Sequence, residues 1–120
     1  MTKNPEAEDF FRVLHAHSDV ASEFEAVLAK CGEFELHHAP LAYGAPFAIT
    51  AGTVFGGAAG MNATFWRLRP KDIETALATG AVAATFSPEW VQIELFRVGW
   101  PTPDLQFWAL RAYDFARMRS

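Results

Sequence analysis

The fold is decided by one stretch in the middle of the chain, which reads Val54-Phe55-Gly56-Gly57-Ala58-Ala59-Gly60-Met61-Asn62-Ala63-Thr64-Phe65-Trp66-Arg67-Leu68-Arg69-Pro70. The segment Gly60-Met61-Asn62 is typical of a tight turn, and strand-forming residues lie on both sides of it. We therefore predict a β-hairpin with strands over residues 53–59 and 64–69. Gly56-Gly57 interrupts the first strand and indicates a bulge or a close backbone approach.

Further strands are predicted on both sides of the hairpin. Polar and apolar residues alternate over 34–38, and residues 47–51 lie between Pro46 and Gly52. The strongest pattern covers residues 90–98, where Val91, Ile93 and Leu95 share one face. A register slip of one residue would expose all three, so we expect that face to pack on the last helix.

Helical patterns open the chain, interrupt the strands and close the chain. An acidic turn follows Pro5, an apolar stripe from Val20 to Cys31 marks the second helix, and Pro70 fits the first position of a third. Thr102 is the expected cap of the last helix. The order predicts an α+β fold: an antiparallel β-sheet meander with helices packed on one face, two N-terminal helices and one closing C-terminal helix.

Length and composition limit the function classes. The 120 residues suit a single domain over 1–120, with a helical segment at 1–33 and a sheet-and-helix core at 34–120. No apolar run approaches membrane-spanning length and the first residues do not form a signal peptide, so we expect a cytoplasmic location without membrane partners. Cys31 is the only cysteine, which excludes an intrachain disulfide, and the net charge of −4 disfavours nucleic acid.

Several short motifs occur in the order found in one known family. They are Val54-Phe55-Gly56-Gly57, Phe65-Trp66-Arg67-Leu68-Arg69-Pro70, Ala78-Thr79-Gly80-Ala81, Glu89-Trp90-Val91 and Ala109-Leu110-Arg111-Ala112-Tyr113. Over roughly residues 36–118 the chain resembles the TfoX/Sxy N-terminal domain family and the related MmcQ/YjbR-like proteins. That resemblance implies a non-enzymatic domain, in a family whose founding members are linked to regulation of DNA uptake.

The sequence contains no clear catalytic, cofactor or metal motif. His15 and His17 would lie on different faces of a helix, and His37 and His38 on opposite faces of a strand, so neither pair can chelate one ion. Cys31 lies on an apolar stripe and is expected to behave as a small buried hydrophobe. We therefore predict no catalytic residue, no cofactor and no metal.

Two surfaces remain as candidates. A basic stripe could bind nucleic acid, and its residues are Arg67, Arg69, Lys71 and Arg97. A solvated face, with Glu94 paired to an arginine of the neighbouring strand, is the alternative interpretation. The aromatic excess predicts a second surface, a homodimer face formed by Phe65, Trp90 and Phe96 on the side of the sheet away from the helices.

Three functions follow from these observations. The first is an interaction module that forms a homodimer or binds another protein partner. The second is a nucleic-acid-binding regulatory domain that uses the basic stripe. The third is an enzyme or a small-ligand-binding protein, with its pocket expected between the Gly56-Gly57 strand and the helices, where side chains are missing.

Overall fold

The structure is a computed structural model that describes residues 2–118. Its helices are α1 (Pro5–Arg12), α2 (Ser18–Leu28), α3 (Pro70–Ala78) and α4 (Leu105–Arg117). Its strands are β1 (Glu35–His38), β2 (Pro46–Thr50), β3 (Thr53–Ala59), β4 (Ala63–Arg67), β5 (Val82–Ala83) and β6 (Trp90–Glu94). None of the helices within the described range is long and apolar enough to cross a membrane.

The six strands form one antiparallel sheet in the order β1-β2-β3-β4-β6-β5. The predicted α+β class is confirmed, with a meander-like sheet, N-terminal helices and a C-terminal helix. β3 has the predicted bounds, whereas β6 ends at Glu94, four residues before the predicted end. Phe96 adopts a left-handed backbone with φ of 58°, which turns the chain away from the strand direction. The two-residue strand β5 was not predicted.

Two helices pack on opposite faces of the sheet. The ring centroid of Phe11, on α1, lies 5.7 Å from that of Phe65. The ring of Phe24, on α2, lies 5.3 Å from that of Trp66. Phe65 and Trp66 are neighbours on β4, and neighbouring side chains of a strand point to opposite faces. α1 therefore covers the face opposite α2, and α4 packs beside α2; the expectation that the helices share one face does not hold for α1.

The glycine pair allows the helices to approach the sheet closely. A Cβ on Gly57 would lie 2.5 Å from Cε1 of Phe11, and one on Gly56 would lie 2.7 Å from Cζ3 of Trp66. The register also shifts here, because Ala48 pairs with Gly56 but the next residue of β2 pairs with Val54. Phe55 therefore has no pairing partner in β2, which makes it the extra residue of a β-bulge. The predicted bulge and the predicted close approach occur together.

β6 has the predicted orientation. Val91, Ile93 and Leu95 are all buried, as expected from their alternation. Glu94 is half-buried and its carboxylate lies 3.7 Å from Nε of Arg97. The register that places these apolar residues inside is the one that the sequence predicts.

Candidate functional site

A groove opens where β6 leaves the sheet and α4 begins. Its volume is about 720 Å³, and it lies between α2, the C-terminal end of α3, the segment from Leu95 to Asp104 and the first turn of α4. Three aromatic side chains on its wall are exposed: Phe96 by 59%, Trp100 by 55% and Phe107 by 40%. The chain thus places an aromatic concavity in contact with solvent.

Local sequence explains why the wall is held in place. Phe96 and Gly99 both have positive φ, which bends the segment after β6 back towards α4. Asp104 then caps α4 by accepting a hydrogen bond from the backbone N–H of Phe107 at 3.2 Å. The position of Phe107 is therefore fixed by the start of α4. The predicted cap was Thr102, which lies two residues before the observed cap, Asp104.

Charged and polar groups of the groove are few. The guanidinium of Arg97 lies 3.9 Å from the ring centroid of Trp100 and also pairs with Glu94. Gln106, on the first turn of α4, lines the groove. Its Nε2 is buried and has no hydrogen-bond partner among residues 2–118. The groove thus combines exposed aromatic rings with few charged groups.

The predicted homodimer face is not a surface of the folded chain. Phe65 is 5% exposed and Trp90 is 1% exposed, because α1 and Phe86 cover them. The alternation along β4 and β6 correctly put both residues on the face away from α2, but the sequence argument did not foresee that α1 occupies that face. Phe96 alone is exposed, and it belongs to the groove.

The predicted basic stripe is divided and largely paired. Arg67 donates to Glu89 at 3.0 Å and its guanidinium lies 4.3 Å from the ring centroid of Phe115. Arg69 lies 3.4 Å from a carboxylate oxygen of Asp72, and only Lys71 projects freely as an exposed side chain.

Arg97 is separated from the other three basic residues. Arg67 pairs with Trp90 at one end of β6, whereas Arg97 follows the opposite end of that strand. At about 3.3 Å per residue, the separation is on the order of 20 Å. The structure therefore does not bring the four residues together.

The predicted pocket beside Gly56-Gly57 is filled. The space that the missing side chains leave is taken by the rings of Phe11 on one face and of Trp66 and Phe24 on the other. These glycines allow close packing between the sheet and its helices and do not create a cavity.

The histidines and the cysteine take local roles. His17 caps α2 by accepting from the N–H of Asp19, and Nδ1 of His15 donates to the Ala42 carbonyl. Within the described part of the chain, no group of three or more His, Cys, Asp or Glu side chains is placed to hold a metal ion. Burial raises the pKa of the Cys31 thiol, with a smaller contribution from Asp114, which makes it a poor nucleophile at neutral pH.

Sequence reasoning missed the residues that matter most in the groove: Trp100, Gln106 and Phe107. One signal was present, since Phe107 lies beside the apolar stripe of α4 and not within it, and a large aromatic residue outside the buried face is a candidate contact. No sequence pattern indicates that Nε2 of Gln106 is buried without a hydrogen-bond partner.

Comparison with known proteins does not identify a relative: no family model, no curated protein and no solved structure matches the chain. The resemblance to the TfoX/Sxy N-terminal domain family stays a prediction.

Proposed function

We propose that the protein is a binding domain whose groove holds a small, largely apolar molecule. Supporting this, the groove volume of about 720 Å³ is within the usual range of small-molecule sites, roughly 300–1,000 Å³. The site residues are Phe96, Trp100, Gln106 and Phe107. No reaction is proposed, and a cytoplasmic location remains part of the proposal.

The observation that carries the proposal is the convergence of exposed aromatic side chains on one concavity. Phe96 comes from the end of the sheet, Trp100 from the loop and Phe107 from α4, yet all three line the same groove. A ligand that removed about 200 Å² of apolar surface from water would gain about 5 kcal/mol. Association itself costs at least about 4 kcal/mol, so apolar contact alone supports only weak binding.

Thermal unfolding with a panel of neutral aromatic compounds tests the proposal. A compound that binds the native state raises the midpoint temperature. Phe107→Ala should remove the shift, and Leu110→Ala is the matched control, because both side chains are on α4 and 40% exposed but only Phe107 lines the groove. Equal shifts in both variants, or no shift with any compound, would contradict the proposal.

Self-association is a second candidate, favoured by the exposure of Phe96, Val98 and Trp100 within five residues. If a second copy covers them, sedimentation should give about twice the chain mass, and Trp100→Glu should restore the monomer by placing an unpaired charge in the interface. A monomer at every accessible concentration would remove this candidate. Trp90→Glu is not a useful test, because Trp90 is buried inside the chain.

Nucleic-acid binding has less support than either candidate. Arg67, on β4, and Arg69, just before α3, each lie beside a carboxylate. Arg97 lies at the other end of β6, and the net charge of the chain is −4. An electrophoretic shift with DNA at low salt that disappears in the double variant Arg67→Ala/Arg69→Ala would restore it.

A further inference from the structure

The charged groups that line the groove carry an excess of negative charge. Among the described residues they are three carboxylates, those of Glu23, Glu94 and Asp104, and one guanidinium, that of Arg97. Glu94 and Arg97 lie 3.7 Å apart and offset each other. Glu23 and Asp104 are exposed and form no ion pair within residues 2–118. The start of α4 offsets part of the Asp104 charge, yet the balance of the groove stays negative and complements a positive ligand.

The exposed rings of the groove favour the same sign of charge. The guanidinium of Arg97 lies 3.9 Å from the ring centroid of Trp100, and that of Arg111 lies 4.8 Å from the ring centroid of Phe107. A cation is attracted to the face of an aromatic ring, and most strongly to that of tryptophan. Both rings are exposed, so each retains surface that a ligand can contact.

We infer that the groove binds an organic cation, a protonated amine with an aromatic or similarly apolar body. This inference rests on the proposed function, since it specifies the ligand of the same groove. The apolar body contacts the exposed rings, and the ammonium lies near the carboxylates of Glu23 and Asp104. Because apolar contact alone gives only weak binding, the positive charge decides which molecules of this size bind. An anion of the same shape meets like charge in the groove and on a chain of net charge −4.

Three probes that share one ring system and differ in charge test the inference: 1-naphthylmethylamine, naphthalene-1-acetamide and naphthalene-1-acetate. At neutral pH the amine is protonated, the amide is neutral and the acetate is ionised. Isothermal titration calorimetry with the whole chain measures each dissociation constant in about 0.1 M salt, which screens charges farther apart than about 10 Å. We expect the amine to bind at least about threefold more tightly than the amide and about tenfold more tightly than the acetate.

The double variant Glu23→Gln/Asp104→Asn removes both carboxylates that lack an ion pair. Asparagine caps a helix about as well as aspartate, so α4 should keep its start. In this variant the amine should lose most of its advantage over the amide. The matched control is Glu25→Gln/Asp9→Asn, which removes the same net charge from exposed positions outside the groove lining and should leave the preference unchanged.

Arg97→Gln should change the affinity in the opposite direction. It removes the cation that lies over the ring of Trp100 and frees the carboxylate of Glu94. The amine should therefore bind about twofold more tightly or better, whereas damage to the fold would weaken the binding of every probe.

The outcomes separate the inference from the proposed function. If the amide or the acetate binds as tightly as the amine, or if Glu23→Gln/Asp104→Asn keeps the full preference for the amine, the inference is wrong while the binding groove stands. The same conclusion follows if Arg97→Gln weakens the binding of the amine alone. If none of the three probes binds, both the inference and the proposed function are contradicted.

Discussion

Two aromatic regions of this chain differ in their exposure to solvent. Under α1, six rings pack with centroid separations between 4.1 and 6.4 Å, those of Phe10, Phe11, Phe47, Phe65, Phe86 and Trp90. We call these six rings the inner cluster. In the groove, Phe96, Trp100 and Phe107 remain exposed, and arginines lie over the rings of Trp100 and Phe107. Aromatic content alone therefore does not reveal which surface is available to a partner.

The difference arises from what the chain supplies to cover each region. α1 brings Phe10 and Phe11 onto the sheet, and Gly57 leaves the space that Phe11 fills. Within residues 2–118 no helix crosses the groove in the same way, so its rings keep contact with solvent. The contrast predicts that the inner cluster controls stability and the groove controls binding.

Removal of the central ring of the inner cluster should have the largest effect. Phe11→Ala deletes a fully buried side chain and leaves a cavity, which lowers the free energy of unfolding by about 3–5 kcal/mol. Phe107→Ala, in the groove, should lower it by less than about 1 kcal/mol. Urea unfolding of both variants checks the comparison, and equal losses would erase the distinction between the two regions.

Overfilling the inner cluster should cost less than emptying it. Gly57→Ala places a Cβ against the ring of Phe11 and should lower the unfolding free energy by about 1–3 kcal/mol. The clash needs the ring, so the same substitution in Phe11→Ala should be nearly neutral. A double-mutant cycle measures this coupling, and additive losses would show that the two groups do not meet.

The anchor of α1 should contribute a further, smaller amount. Asn4 donates from Nδ2 to the Val54 carbonyl at 2.8 Å and accepts from the Val54 N–H at 2.9 Å. Asn4→Ala leaves both buried groups of β3 unpaired, and we expect a loss of about 1–2 kcal/mol in urea unfolding. Asn4→Asp keeps the acceptor but places a buried carboxylate oxygen against the Val54 carbonyl, so it should lose at least as much as Asn4→Ala; a value equal to the wild type would contradict the donor role.

The smallest expected effect is a pH dependence on the surface of α1. A side-chain hydrogen bond from Arg12, followed by one from Thr2, lowers the pKa of Glu8 below its usual value of 4.5. A lowered pKa in the folded state stabilises the protein above the usual value, and that contribution is lost as the pH falls through the folded pKa. Glu8→Gln should cost about 0.3–0.5 kcal/mol at pH 7 and nothing at pH 2. A difference that persists at pH 2 would contradict this origin.

Much of the fold could be predicted from local patterns. The burial of Val91, Ile93 and Leu95 followed from strict alternation, and the bounds of β3 followed from the turn at residues 60–62. The place of α1 could not be predicted, because a short helix with adjacent phenylalanines fits either face of a sheet. β5 has only two residues, too few for a periodic signal.

The site was harder to predict than the fold. Exposure of an aromatic residue depends on which element reaches it, and Trp90 and Trp100 look alike in the sequence although one is buried and the other is exposed. Arg97 followed a strand pattern that was expected to continue to residue 98. The left-handed backbone at Phe96 ended that strand and moved Arg97 into the groove.

Hydroxyl-radical footprinting of the native chain, read by peptide mass mapping, tests the central claim most directly. It reports on phenylalanine and tryptophan side chains in one experiment and needs no substitution. We expect rapid modification of Phe96, Trp100 and Phe107, with Phe65 and Trp90 protected until the chain unfolds. Modification of Phe65 and Trp90 at the rate of Trp100 in the folded protein would contradict the closed inner cluster and the open groove together.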